Sequence, residues 1–215
     1  MTKRKSFAVP TSERLNDLMS FVAFTNKFRA IERTVWFKGV SGKEPDGEHS
    51  FQVAMCAWYL NERLSLGLDL QRLIEYGLVH DIVETYARDT PAFKESGCGR
   101  VPSHRTKEKR ERKALARIAS EWSAFPGLVA RMRAYKHQKD EESKFIYALD
   151  KLVSAVNIYQ DGGRSFRILG VTLKMYDRYK TPRTKKHRII KSLWEEMLSL
   201  LKLHEHKLFP PIISP

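Results

Sequence analysis

With 215 residues, 25.0 kDa and 42% hydrophobic side chains, the chain has room for one substantial domain and is too apolar for global disorder. Its 39 Lys and Arg against 25 Asp and Glu leave a formal charge of +14, which calls for an anionic partner: nucleic acid, a membrane surface or small phosphorylated substrates. The competing reading is a set of solvated Lys and Arg faces. No apolar run reaches the ~20 residues that span a bilayer, and no membrane partner is expected. The basic start, Met1 to Ser6, is not followed by the apolar stretch of a secretory signal. Cys56 and Cys98 lack metal-ligand spacing, and the expected setting is reduced and cytoplasmic.

Taken in order, Thr11-Ser12 before Glu13 offers a hydroxyl cap for a helix over about 12–30, with Leu15, Leu18, Met19, Val22 and Phe28 at helical spacing. Gly39, Gly42, Pro45 and Gly47 mark a loop, with Arg33-Thr34-Val35-Trp36 at its entrance. A helix from Glu48 to about Leu66 is apolar around much of its circumference, which predicts burial on most sides. Leu70 to Val79 forms the next helix, closed by His80-Asp81, and Ile82-Val83 leads into a short fourth.

After a turn at Arg88 to Pro91 and a Gly-containing loop, residues 104–124 read as a helix with a basic face from Arg105 to Arg117. Helices near 128–137 and 141–159 follow, the latter ended by Asp161-Gly162-Gly163. Two more are expected near 165–178 and 183–206, before a Pro-containing tail. No alternating strand pattern of useful length occurs, so the expected class is all-α. His104, His137, His187, His204 and His206 read as ordinary exposed residues.

Two histidines and two carboxylates suit a borderline divalent ion: imidazole binds Zn, Co, Ni or Fe well, and carboxylates extend the range to Mn and Mg. His49 opens one helix, His80 and Asp81 close another, and Asp150 lies within a third, so they can meet only in a bundle. Neighbours on a regular helix point about 100° apart, so the His80-Asp81 pair needs a helix end to supply two ligands. Asp150 among Leu149, Leu152 and Val153 calls for a partner or a metal, with Lys151 and Arg133 as ordinary alternatives.

The order Arg33-Thr34-x-Trp36, Glu48-His49-Ser50, His80-Asp81-x-x-Glu84, Asp89-Thr90-Pro91 and Ala148-Leu149-Asp150-Lys151-Leu152 resembles the HD-domain phosphohydrolase superfamily. Within it, the chain looks most like the branch of bacterial 5′-deoxynucleotidase and phage deoxynucleotide phosphohydrolases, over about residues 12–160. The resemblance implies an HD-domain helical bundle with a divalent metal (Mn, Co, Zn or Mg) in its core, held by His49, His80, Asp81 and Asp150. It implies that Glu84 acts on the attacking water or leaving group. Arg33 would orient the phosphate, Trp36 would pack on a sugar lacking a 2′-hydroxyl, and Asp89, Thr90 and Pro91 would line the nucleotide pocket. Arg88 departs from the glycine common in relatives.

Residues 1–160 are therefore expected to form the phosphohydrolase core, with 161–215 a helical extension packed on it. The expected activity is a metal-dependent 5′-deoxynucleotidase, releasing phosphate from a deoxynucleoside monophosphate. A dNTP triphosphohydrolase releasing tripolyphosphate is the alternative, which cations at 105–117 would favour if they face the pocket. A second alternative is a nucleic-acid-binding or oligonucleotide-cleaving HD protein using the basic segments Lys107–Lys113 and Lys180–Arg188. The apolar C-terminal helix around Ile190, Trp194 and Leu201 would complete the core or serve a homo-oligomer, and the core reading is preferred.

Overall fold

A computed structural model describes residues 12–36, 38–39, 41–88, 93 and 104–211. The described residues form helices α1 (Glu13–Arg29), α2 (Asp46–Arg63), α3 (Leu70–Val79), α4 (Glu84–Ala87), α5 (His104–Glu121) and α6 (Pro126–His137). They continue as α7 (Glu141–Gln160), α8 (Arg164–Leu169), α9 (Leu173–Thr184), α10 (Arg188–Leu203) and α11 (Glu205–Leu208). No strand occurs among them, only an isolated antiparallel bridge between Glu32 and Pro45. The class is all-α, as the sequence predicts.

The bundle is built around α7. Asp140 caps it by accepting from the Ser143 amide at 2.7 Å, satisfying an amide the helix itself leaves without a partner. Phe145, Ile146, Leu149, Leu152, Val153 and Ile158 are all buried, and α2, α3, α9 and α10 pack around them. From the C-terminal part, Trp194, Ile190 and Leu201 of α10 join the same apolar cluster, together with Phe166, Leu208 and Phe209. Each such side chain, fully buried, contributes on the order of 1.5–3 kcal/mol. A smaller cluster of Phe24, Phe28, Ile82, Ile118, Leu128 and Met132 ties α1, α5 and α6 to the turn before α4.

Several expectations need correction. Helix α2 is not buried on most sides: Phe51 and Tyr59 are each 63% exposed, and Met55 and Trp58 also face outward. Leu15, Leu18, Met19 and Val22 of α1 are likewise exposed, while Phe24 and Phe28 are buried. Helical spacing marks an apolar stripe but does not say that another element covers it. Ser12 stands at the N-cap of α1 without a side-chain capping bond, and Thr11 lies outside the described residues.

The single helix expected over 165–178 is two, because Gly170 adopts φ +62°, a left-handed conformation that ends α8 before Thr172 caps α9. The last long helix begins at Arg188 rather than near 183, since α9 runs on to Thr184 through Pro182. Two histidines expected at the surface are half-buried. His187 meets the edge of the Phe145 ring at 4.9 Å, and His204 shares a 3.0 Å hydrogen bond with the Tyr159 hydroxyl. No described helix is long and apolar enough to cross a membrane.

Candidate metal centre

Helices α2 and α3 pack at short range because small residues meet at their crossing. A Cβ placed on Gly77 would lie 2.8 Å from both Cα and Cβ of Ala54. That approach sets the His49 and His80 rings 5.4 Å apart, edge to face. Helix α3 stops at Val79, and His80 and Asp81 leave it through a turn, so both can point the same way. Ligand atoms of His49, His80 and Asp81 all lie within 4.8 Å of one another. Asp150 of α7 closes the group, its Oδ1 3.0 Å from His49 Nε2.

The surroundings of the two imidazoles suit metal ligation. His80 Nδ1 lies 2.8 Å from the Gly77 carbonyl, and donation there leaves Nε2 with a free lone pair toward Asp81 Oδ2, 3.2 Å away. Nε2 is buried and has no hydrogen-bond partner among the described residues, as expected of a ligand atom. Behind His49, Glu44 Oε2 stands 3.4 Å from Nδ1, the place of a carboxylate that orients a ligating imidazole. Glu44 is itself held by Asn157, whose Nδ2 donates to Oε1 at 2.9 Å. The donor set of two imidazoles and two carboxylates fits a divalent ion of the Mn, Co or Zn type.

Arg33 reaches the same group through local backbone pairing. Its amide donates to the Glu44 carbonyl at 2.8 Å, and the Glu44 amide donates to Val35 at the same distance, which lays the Arg33 segment along the entry to α2. The guanidinium then contacts Asp81 Oδ2 at 2.7 Å, Glu44 at 3.1 Å, Asp46 at 3.3 Å and Asp150 at 3.7 Å. On the opposite side Lys151 Nζ donates to Asp150 Oδ2. Burial works against charge here, yet these pairings keep both aspartates ionised: His80 and Arg33 hold Asp81 far below the usual carboxylate range, and Lys151 and His49 do the same for Asp150. Burial also opposes a charge on His80, but the Asp81 carboxylate outweighs it and raises its pKa.

Glu84, at the start of α4, is buried one turn beyond Asp81 and faces Lys107 Nζ of α5 at 3.5 Å. Two cavities meet at this point and share Asp81, Glu84, Lys107, Lys151 and Tyr179 as common wall. One, about 300 Å³, extends between α3, α5 and α6 past His80, Tyr135, Lys136 and Arg183. The other, about 120 Å³, extends past Arg33, Thr34, Ser165 and Lys180 to an apolar end at Phe93, Phe166 and Val171.

The structure thus brings together His49, His80, Asp81, Asp150, Glu84 and Arg33. Trp36 does not line either cavity: its ring is buried beneath Lys43, and its amide donates to Ser165 Oγ at 3.1 Å. Asp89, Thr90 and Pro91 lie outside the described residues. Of the cations in the basic stretch 105–117, Lys107 alone lines these two cavities among the described residues, so that helix does not supply them with a row of phosphate ligands. Sequence reading missed Glu44 and Asp46, which lie in a Gly- and Pro-containing stretch without periodicity that leads into α2. It also missed Lys180, hidden in a charge run that reads as solvated.

A search of curated proteins returned no match. Among solved structures, the chain is similar to a protein of Magnetospirillum magnetotacticum MS-1 described as a predicted metal-dependent phosphohydrolase. The two share 27% identity at a TM-score of 0.72, over 93% of this chain and 100% of that one. Proteins of Pyrococcus furiosus and Pyrococcus horikoshii OT3 share the fold, each at 20% identity and a TM-score of 0.60, over 86% of this chain and 99% of theirs. The model of the HD domain matches residues 25–194, most of the chain, which therefore belongs to the HD-domain family.

Proposed function

We propose that the protein is a metal-dependent phosphohydrolase that acts on deoxynucleotides and releases phosphate from deoxynucleoside 5′-monophosphates. The observation that carries this reading is the convergence of His49, His80, Asp81 and Asp150 beside the buried Glu84 and the guanidinium of Arg33. The description of the Magnetospirillum protein as a predicted metal-dependent phosphohydrolase supports the general class.

When bound, a divalent ion would polarise the phosphoryl group and acidify water. The chain's own residues supply the rest. Glu84, at the junction of the cavities, accepts the proton of the attacking water, with Lys107 Nζ 3.5 Å away beside it. Arg33 has five donors and turns some of them from carboxylates to phosphoryl oxygens, offsetting charge that grows in the transition state. The apolar end of the smaller cavity receives the organic part of the substrate.

Monophosphate ranks ahead of triphosphate because, among the described residues, Lys107 is the one cation of 105–117 that lines these two cavities. The test is product analysis on the purified protein with Mn, Co, Mg or Zn, across dNMPs, dNTPs and their ribose counterparts. Inorganic phosphate from dNMPs is the expected product. Tripolyphosphate from dNTPs would replace the reading with a triphosphohydrolase. No turnover of any nucleotide with metal bound would move it to oligonucleotides or to nucleic-acid binding, for which the +14 charge is the support.

A further inference from the structure

Lys180 of α9 is the charged group that neither the family motifs nor the mechanism above uses. Its side chain is buried, at 5% exposure, yet it has no carboxylate within ion-pairing distance among the described residues. Its Nζ donates to the Lys151 carbonyl at 2.8 Å and lies 5.3 Å from the centre of the Tyr176 ring. These contacts account for one of three N–H donors, and Asp150 attracts the charge from beyond ion-pairing distance. A buried ammonium with no carboxylate in contact is costly, and Lys151, Arg33 and Arg183 oppose this one, partly offset by Asp150.

The smaller cavity is where that imbalance faces open space. Arg33, Lys107, Lys151 and Lys180 all line it, against two carboxylates, Asp81 and Glu84. Arg33, Lys107 and Lys151 are already paired with Asp81, Glu84 and Asp150 respectively, so the excess positive charge sits on Lys180. Ser154 and Thr34 add hydroxyls to the same wall. An oxyanion entering here would gain a donor and a counter-charge that the protein alone does not satisfy.

We propose that Lys180, with Lys151, forms an oxyanion subsite of the smaller cavity that takes a phosphoryl oxygen, either of the substrate or of inorganic phosphate. That the anion is a phosphate rests on the phosphohydrolase reading; that the subsite takes an anion rests on the cavity alone. Lys180 lies outside the segment that bears the metal-ligand and Glu84 motifs, so α9 brings to the smaller cavity a cation from beyond residue 160. It is a specificity-determining residue for the anionic end of the ligand. Part of the depressed affinity of Lys180 for its proton, pushed down to about 7 by burial and by Lys151, would be recovered when the anion binds.

The test is titration of the full chain with inorganic phosphate, by calorimetry and by phosphorus NMR, for wild type, Lys180→Met, Lys180→Arg and Lys174→Met. Lys174 is exposed on the same helix and controls for net charge. Lys180→Met should weaken phosphate binding at least tenfold, Lys180→Arg should restore part of it, and Lys174→Met should leave it within twofold. Binding by Lys180→Met within twofold of wild type would overturn the subsite. Should Lys180→Met not fold, the Lys180 ammonium resonance of lysine-labelled wild type decides: it must shift on adding phosphate, and an unmoved signal under saturating phosphate overturns the proposal. Turnover of dNMPs is measured in parallel. Lys180-dependent phosphate binding without turnover would sink the phosphohydrolase reading and leave the subsite standing; turnover with phosphate binding indifferent to Lys180 would do the reverse.

Discussion

Arg33 Nη1 lies 2.7 Å from Asp81 Oδ2, so a cation from the α1–α2 connection rests on a carboxylate of the candidate metal cluster. The same guanidinium reaches Glu44, Asp46 and Asp150, which makes it the shared counter-charge of four buried or half-buried acids. Removing one partner of a buried pair leaves the other charge uncompensated. Arg33→Ala is therefore expected to destabilise the fold by about 3–5 kcal/mol in urea titrations without added metal. Added Mn or Co should recover part of that loss by supplying positive charge to the same acids. A change under about 1 kcal/mol would show that Arg33 is not their counter-charge.

Divalent metal should stabilise the wild-type protein, because an ion held by the native cluster has no equivalent site in the unfolded chain. At a hundredfold excess over Kd the gain is about 2.7 kcal/mol, reversed by a chelator. Asp81→Ala should abolish both that gain and turnover, while leaving salt-dependent nucleic-acid binding by the basic surface largely intact. A melting temperature indifferent to Mn, Co, Zn and Mg alike would remove the metal assignment.

Lys180 carries a pH signature. Its folded pKa is pushed down to about 7, against an ordinary value near 10.5, first by burial and then by Lys151. A lysine with a lowered folded pKa binds fewer protons in the folded than in the unfolded state between those two values. Stability contributed by this group therefore rises as pH climbs from about 7 to 10, and is flat below about 6. Lys180→Met should remove that rise. The readout is the difference between wild-type and variant unfolding free energies across this range, and a constant difference would contradict the shift.

Gly77 has no room for a side chain, since its Cβ would meet the Ala54 backbone at 2.8 Å. Gly77→Ala must push α3 from α2, at a cost of about 1–3 kcal/mol. Because the Gly77 carbonyl also meets His80 Nδ1, the shift should weaken metal binding more than an equally destabilising change distant from the cluster. Calorimetric metal titration of Gly77→Ala beside Leu201→Ala separates the two effects; equal metal affinities would leave Gly77 a packing residue only.

Arg88 holds φ +60° and ψ 142°, near a region that only glycine enters freely. The resemblance noted above puts glycine at this place in relatives. Such strain costs about 1–3 kcal/mol, and Arg88→Gly gives back about 0.4–1 kcal/mol through the freer unfolded chain. A net stabilisation of about 1 kcal/mol is expected from urea midpoints, and a destabilised variant would locate a compensating contact in the Arg88 side chain.

Much of the bundle is legible in the chain itself. The bounds of α3, α6 and α7 follow from apolar spacing and from stops such as Gly162-Gly163, because those signals are local. The grouping of His49, His80, Asp81 and Asp150 follows from motif order. Coverage does not: α2 carries Phe51 and Tyr59 at spacings that read as core, and both are exposed. Gly170 lies in a pattern that reads as one helix, and only the backbone shows the left-handed residue that splits it.

The sequence by itself determined the helical class, the family motifs and the candidate ligand residues, since each depends on residue type and near-neighbour spacing. The tertiary structure decided which charges are buried and with what they pair. Glu44 stands behind His49, Arg33 bridges four acids, and Lys180 enters a cavity from a segment that looks solvated. Those outcomes depend on the electrostatic environment of each group, which is set by elements distant in the chain that packing brings within a few ångströms.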